Sequence, residues 1–462
     1  MDNNNAMTKT QIMQWGLLIV ACILLLSIPN GEFYTPKTAM FLAISVFCIG
    51  LVCFGLVNIY VPAFLMPAAY VISGVADWQV AMSGWTNSLP GIIFSAFIIS
   101  AALERCGLIR RMAYFAVMKT GGSYAKLCFA ILIVGWIASL MTSCNAHMIM
   151  IIIAVGICKA LGFEKFDLRA AGLFMAVALG TISSEQWQYY PSPMSVLAPA
   201  LMRVDPSAQI RWLDNIIYCW PMALYSALYL AVVIKFFVPK SQPVNLDFIR
   251  REYESLGPWS RAEKKMALLM AAFVILLVSS TWTGMDIFIP FLLISVTLFF
   301  PGVRLAGEEE VHKVPYAMIV LISSCMSMGA IANSLGISGA LSSSLLPLFQ
   351  ELGTWPAVAA LWSIIAGLNV ILTPIAIYSA FGETFMMLFQ QIGINPHSIV
   401  FLSVMGGDAI FLPHEHMFYL VIFSFGMISM KTFIKLWSIK LPFHLACILL
   451  IQLPYWKIID FI

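Results

Sequence analysis

The sequence predicts an all-α integral membrane protein of about eleven transmembrane helices plus two re-entrant hairpins, arranged as an inverted repeat with two unwound helices. Three observations carry this. Only 10% of the 462 residues are charged and 61% are hydrophobic, against roughly a quarter charged in soluble domains. A surface that poor in charge needs lipid as its solvent. Apolar runs of about 20 residues, enough to cross a bilayer core of about 30 Å, recur along the whole chain. Four runs are too long for one crossing and too short for two, and each carries polar residues or proline near its middle. Non-helical backbone at that depth is tolerated only against protein or a wet cavity.

In chain order the runs are 11–29, 37–56, 59–74, 89–104, 126–160, 168–202, 213–238, 264–283, 286–302, 314–334, 354–392, 397–437 and 441–459. The first has no small-residue cleavage site and many spans follow it, so it reads as a helix and not a signal peptide. Nine runs fit single spans. The run 126–160 is interrupted by Thr142-Ser143-Cys144-Asn145-Ala146-His147, and 168–202 by the stretch Ser183 to Pro193. The run 354–392 is interrupted at Asn369 to Pro374, and 397–437 at Gly406-Gly407-Asp408 and again at Pro413-His414-Glu415-His416.

Lys and Arg mark the cytoplasmic side. Arg105, Arg110, Arg111, Lys119 and Lys126 precede the first interrupted run, and Lys159, Lys165 and Arg169 follow it. Both its ends therefore lie inside, which makes 126–160 an inward hairpin with its tip at Asn145. No Lys or Arg occurs from Val314 to Met430, so 354–392 reads as an outward hairpin. Lys431, Lys435 and Lys440 return the chain to the cytoplasm. The expected organisation is a first half over 1–238, a polar cytoplasmic loop over 239–263 and a second half over 264–462, with the N-terminus inside and the C-terminus outside.

The two hairpin regions share a pattern. Cys106-Gly107-Leu108-Ile109, Gly121-Gly122-Ser123 and Leu161-Gly162-Phe163 surround the first. Leu335-Gly336-Ile337-Ser338, Gly353-Thr354 and Ile392-Gly393-Ile394 surround the second. Asn145 follows Gly107 at nearly the spacing by which Thr373 follows Gly336. With opposite charge flanks this is an inverted repeat, which places a binding site near the midplane where the broken elements meet.

This layout resembles the divalent anion/sodium symporter family of the ion-transporter superfamily, over nearly the whole chain. The local likeness is greatest in Ala101–Lys126 and in Phe423–Lys431. The resemblance implies eleven helices, an inward and an outward hairpin, two unwound helices, and Ser-Asn-Thr tips that hold substrate carboxylates and sodium. Here Cys144-Asn145-Ala146 stands at the first tip, Leu372-Thr373-Pro374 at the second, and Ser192-Pro193-Met194 in the first unwound segment. The sodium positions it implies lie near Ser143, Asn145, Gly180, Thr373 and Gly407.

Helix N-termini converging at such tips attract anions, and unwound carbonyls attract cations. The candidate substrate contacts are Ser143, Cys144, Asn145, Asn369, Thr373, Ser192 and Pro193; Asn145 is either a direct contact or a buried amide tying the tip together. Ionisable groups inside a membrane are functional candidates by default. Glu185, Asp408, Glu415, His147, His414 and His416 all fall in interrupted stretches and form the candidate ion-coupling set, while Glu383, on the return arm of the second hairpin, is a weaker one. His414-x-His416 does not have metal-ligand spacing for one helix face. The ten cysteines lie mostly in apolar runs without a C-x-x-C pair, and read as core hydrophobes. A net charge of +3 gives no reason to expect a nucleic-acid partner, and no phosphate-cradling glycine loop with its lysine is present.

The expected function is secondary transport, across the inner membrane and by alternating access, of a small anion such as a di- or tricarboxylate. No cofactor is expected beyond a coupling ion, sodium or proton; the expected partners are the small anion and the lipid bilayer, with a homodimer as an option. The lost hydroxyls at the tips and the gained carboxylates favour protons. The rival readings are a cation/proton antiporter, motivated by carboxylates with no membrane-embedded Lys or Arg to balance them, and a membrane enzyme, for which no nucleophile–base pair is evident.

Overall fold

The computed structural model describes residues 8–31, 34–142, 146–239, 246–370 and 372–462, apart from the side chains of Cys53, His414 and Met417. Among the described residues there are helices and no strands. The chain enters through α1 (Lys9–Ser27), α2 (Pro36–Cys53), α3 (Tyr60–Ile72) and the single turn α4 (Trp78–Ala81). Thr8 and Gln11 form a reciprocal cap at the start of α1, satisfying amides that a helix start leaves unpaired. Only Leu18 of α1 is buried, so an apolar helix with no packed face is left to lipid.

A series of elements then occurs twice. The first copy is α5 (Leu89–Cys106), α6 (Leu108–Met118), α7 (Tyr124–Thr142), α8 (Ala146–Ala160), α9 (Leu168–Thr181) and α10 (Pro191–Val204), closed by α11 (Trp212–Cys219) and α12 (Pro221–Phe236). Three linking helices follow: α13 (Asp247–Ser255), α14 (Arg261–Thr283) and α15 (Phe288–Phe299), then the turn α16 (Glu308–His312). The second copy is α17 (Tyr316–Ser334), α18 (Ile337–Phe349), α19 (Thr354–Asn369), α20 (Pro374–Gln391), α21 (Pro396–Gly407) and α22 (Met417–Ser424), closed by α23 (Met430–Cys447) and α24 (Leu453–Ile458). The copies match in backbone detail. Gly107 joins α5 to α6 at φ 74°, ψ 11°, and Gly336 joins α17 to α18 at φ 72°, ψ 9°. This left-handed corner is open to glycine at no steric cost.

Each interrupted run is a broken element. The run 126–160 is α7 and α8, whose far ends return to one place: the Tyr124 and Phe163 rings lie 6.3 Å apart. The run 354–392 is α19 and α20, and Phe349 before it stands 5.7 Å from Phe389 near its end. The runs 168–202 and 397–437 break between α9 and α10 and between α21 and α22. A short 3-10 turn sits in each gap, Ser183–Gln186 and Pro413–Glu415. Every residue of α9 from Ala170 to Thr181 is buried, and so is α21 from Ser398 to Gly407. A helix apolar on all sides belongs at the centre of a membrane bundle, and these two form it.

Six described helices are long and apolar enough to cross a membrane alone, and seven if α11 and α12, bent by 56°, count as one span. Two sequence expectations need correction. The stretch 239–263 is not simply a loop, because it contains α13, whose Ile249 is buried. Nor does a boundary fall between 437 and 441. α23 runs straight through it, past Pro442, and continues by a π segment at Ile448–Gln452 into α24. Lys440 is consequently no cytoplasmic anchor, since it is 0% exposed. Only Lys431 and Lys435 remain as the basic flank there.

Two contacts fix the frame. Arg111 of α6 places Nε 2.5 Å from Glu263 and donates to the carbonyls of Leu256 and Gly257, tying the first copy to the start of α14. α7 and α9 cross at Gly135 and Gly180, where a Cβ on Gly180 would lie 2.8 Å from the Leu132 carbonyl oxygen. That neighbour is backbone and cannot step aside. Gly180→Val should therefore lower the thermal stability of the detergent-solubilised protein, by about 1–3 kcal/mol for overpacking. Unchanged melting would mean the helices are farther apart than described.

Candidate functional site

The two breaks face each other, and Asp408 is where they meet. It is the first residue after α21, buried, and its carboxylate is held mainly by the opposite break. Ser183 Oγ donates to it at 2.9 and 3.1 Å, and Gln186 Nε2 at 2.7 Å. From α23, Lys440 Nζ lies 2.9 Å from Oδ1 and also donates to the Asp408 carbonyl at 2.9 Å. His444, one turn along α23, stands 2.8 Å from Gln186 Oε1. Since that oxygen can only accept, the ring nitrogen Nε2 carries the proton. The result is one connected polar network, His444–Gln186–Asp408–Lys440 with Ser183, at the centre of the bundle.

The second helix pair is clamped to the second break. Asn369, the last residue of α19, donates from Nδ2 to the carbonyls of Gly406, Gly407 and Ala409 at 3.1, 3.4 and 3.3 Å. Thr373 is the N-cap of α20, ahead of Pro374 at the first helical position. One turn on, the Tyr378 hydroxyl closes over Gly407, leaving no room there for a Cβ. The first pair reaches the breaks through His147 at the start of α8. Its Nε2 is 3.7 Å from Glu185, and its ring lies 4.1 Å from Phe418, 6.1 Å from Tyr190 and 6.5 Å from His416. His147 thus touches both breaks.

The sequence-derived candidates divide as follows. Asp408, Glu185, His147, His416, Asn369, Gly180, Gly407, Thr373, Ser192 and Pro193 all sit at the tips and breaks. Ser192 and Pro193 form the first turn of α10, and Pro193 is buried. Glu415 is 2% exposed, and its Oε2 accepts from the Phe411 amide, so that oxygen braces its own loop. Ser143, Cys144 and Asn145, and the side chain of His414, lie outside the described residues. Among the described residues no group of three or more His, Cys, Asp or Glu has a metal-holding arrangement.

Sequence reasoning missed Lys440, His444, Ser183 and Gln186 as site residues. It also missed Arg203, whose Nε donates to Glu383 at 2.7 Å. For Asp408 and Glu383 these pairs overturn the premise that the carboxylates lack embedded counter-charges. The signal for Lys440 and His444 was present: two ionisable residues at i and i+4 share one helix face, inside an apolar run. Arg203 and Glu383 line a cavity of about 100 Å³ together with Ser83, Asn87, Ser379 and Tyr378. Tyr378 is the wall between this cavity and Gly407.

Such an arrangement fits binding and movement. The N-termini of α10 and α20 carry the positive end of the helix dipole, although Pro191, Pro193 and Pro374 contribute no N–H there. The C-terminal ends of α9 and α21 carry the negative end of the helix dipole, which attracts cations, and protein donors already meet carbonyls at both.

Comparison with known proteins agrees with that chemistry. The family model described as the sodium:sulfate symporter transmembrane region matches residues 9–462. A membrane protein of Cupriavidus necator is 24% identical over 279 residues, 55% of this chain and 54% of that protein. The L-tartrate/succinate antiporter of Escherichia coli K12 is 26% identical over 207 residues, 42% of each chain. The matched stretch thus spans about half the length of these curated relatives or less. The YdaH transporter of Alcanivorax borkumensis has the same fold at TM-score 0.61 and 12% identity, covering 92% of this chain and 98% of its own. MtrF of Neisseria gonorrhoeae, described among antimetabolite efflux pumps, superposes at TM-score 0.58 and 14% identity, covering 98% and 95%.

Proposed function

We propose, for a chain that belongs to the sodium:sulfate symporter family, that its substrate is a small dicarboxylate. The chain is a secondary transporter of the divalent-anion symporter and antiporter type. The observation that carries the finer reading is the meeting of two broken helices, with Ser183 and Gln186 of one holding Asp408 of the other. Matched breaks in two copies of one motif are where transporters of this architecture bind substrate. The N-termini of α10 and α20 supply two anion-attracting ends, which suits a ligand with two carboxylates. The named tartrate and succinate exchange of the relatives supports the same class.

In this reading the pairs α7–α8 and α19–α20 are re-entrant hairpins of opposite orientation beside about eleven spans. The first half runs over 1–238 and the second over 264–462, in the inner membrane with the N-terminus in the cytoplasm. The cavity beside Arg203 and Glu383 is an access route to Tyr378 and the second break. Glu185 and His147 are the groups that couple transport to protons, with Asn145 and Thr373 at the tips contacting substrate. The cation/proton antiporter reading finds less support at Asp408 and Glu383, each paired with a basic side chain, and rests on Glu185.

Proteoliposomes preloaded with succinate should take up labelled succinate or tartrate by exchange, and unlabelled dicarboxylates should compete. Uptake of sulfate with no competition by dicarboxylates would replace the substrate class. Cation flux without any anion requirement would replace the function.

A further inference from the structure

A helix that ends inside a membrane leaves carbonyls without partners. They carry the negative end of the helix dipole and draw cations. In transporters with broken helices, such half-helix C-termini are where coupling cations sit. The end of α21 is one of these, and here the protein supplies its own partners. Asn369 takes the carbonyls of Gly406, Gly407 and Ala409. The Asp408 carbonyl goes to Lys440 Nζ, which at the same 2.9 Å also meets the Asp408 carboxylate. One backbone carbonyl plus one carboxylate is the kind of oxygen set a sodium ion would take. The Tyr419 ring adds its face at 5.9 Å from Nζ, a further attraction for a positive charge.

The first break is built differently. At the end of α9 the Thr181 carbonyl accepts from Ser184 Oγ at 2.6 Å, and the Gly180 carbonyl from Ser139 Oγ at 3.5 Å. Among the described residues no Lys or Arg donates there. The repeat therefore offers two equivalent helix ends, one with neutral partners and one with an ammonium.

We propose that Lys440 is a tethered cation, its ammonium filling the cation position at the second break. A mobile cation then couples through the first break alone, or not at all. The inference rests on the transport reading above and specifies its ion requirement. Lys440 need not touch the substrate, since it acts by holding the end of α21 and Asp408 in place.

The test is anion exchange in proteoliposomes, with sodium chloride titrated against choline chloride. Wild type should show either no sodium requirement or a Hill coefficient for sodium of no more than about one, because one helix end is already filled. A Hill coefficient near two would overturn the proposal, since it demands a mobile cation at each break. Lys440→Ala should lose exchange about tenfold or more in choline, because Asp408 is left buried without its counter-charge, and should regain a measurable part of it in sodium. Exchange equal to wild type in choline, or a folded variant that sodium does not rescue, would overturn it. Folding is read from a monodisperse profile in detergent. If Lys440→Ala does not fold, the wild-type Hill coefficient decides alone. Failure of wild type to exchange any anion under any condition counts against the transport reading, and is distinct from all of these outcomes.

Discussion

Asp408→Asn should be the most destabilising single substitution at the centre of the bundle, costing about 3–5 kcal/mol, the usual effect of removing one partner from a buried ion pair. Lys440 is 0% exposed, and without the carboxylate its charge keeps only neutral partners, a backbone carbonyl, the Tyr419 ring face and the new amide oxygen. Ser183 and Gln186 would also lose the ionic acceptor they share. The measurement is thermal unfolding in detergent, with expression and monodispersity as controls. Removing both charges should behave otherwise, because a buried pair replaced by apolar groups of similar volume is often neutral. Asp408→Leu with Lys440→Met should recover most of the lost stability, and the double-mutant cycle gives the coupling between the two positions. An Asp408→Asn protein as stable as wild type would show that the pair does not form.

Glu185→Gln should abolish accumulation driven by a pH gradient while leaving one-for-one exchange intact. Each unit of pH gradient is worth about 1.4 kcal/mol, or tenfold accumulation, per proton coupled, so the loss is easily measured. Glu185 is singled out by elimination. Asp408 is paired with Lys440, Glu383 with Arg203 and Glu263 with Arg111, and Glu415 braces the Phe411 amide. Among the described residues Glu185 has one ion-pair contact, His147 at 3.7 Å, and its side chain is 26% exposed. His147 leads on to His416, and Asp408 lies across the break, so these are the ionisable groups that face Glu185. Wild-type accumulation that ignores the pH gradient, or a variant that still responds to it, would remove Glu185 from this role.

The parts of this fold that were legible in the sequence are those where a local rule is broken. Proline and polar residues in runs of membrane-crossing length have few places to go, so the breaks after Thr181 and Gly407 could be read directly. The matched corners at Gly107 and Gly336 were legible for a similar reason, since a glycine between two helices invites a left-handed turn. What was not legible depended on distant packing. The charge rule groups Lys440 with Lys431 and Lys435 as a cytoplasmic flank. In the structure α23 continues through Pro442, which carries Lys440 and His444 into the core on one face. Lys440 meets a carboxylate 32 positions earlier, and His444 a glutamine 258 positions away. No spacing rule links such residues. The tip at Ser143 to Asn145 lies outside the described residues, so the leading candidate for substrate contact, Asn145, rests on sequence alone.

The pairing of Lys440 with Asp408 also has an electrical side. Each elementary charge carried across a membrane exchanges about 2.3 kcal/mol with a potential of 100 mV. Ammonium and carboxylate held 2.9 Å apart move as a dipole of zero net charge. When the carrier swings between its two faces, this part of its core does no work against the field. A mobile sodium ion at the same place would have to leave and be replaced in every cycle, and the potential would act on it each time. A cation fixed to the chain makes that portion of the cycle independent of voltage, so the return of the empty carrier need not slow as the membrane polarises.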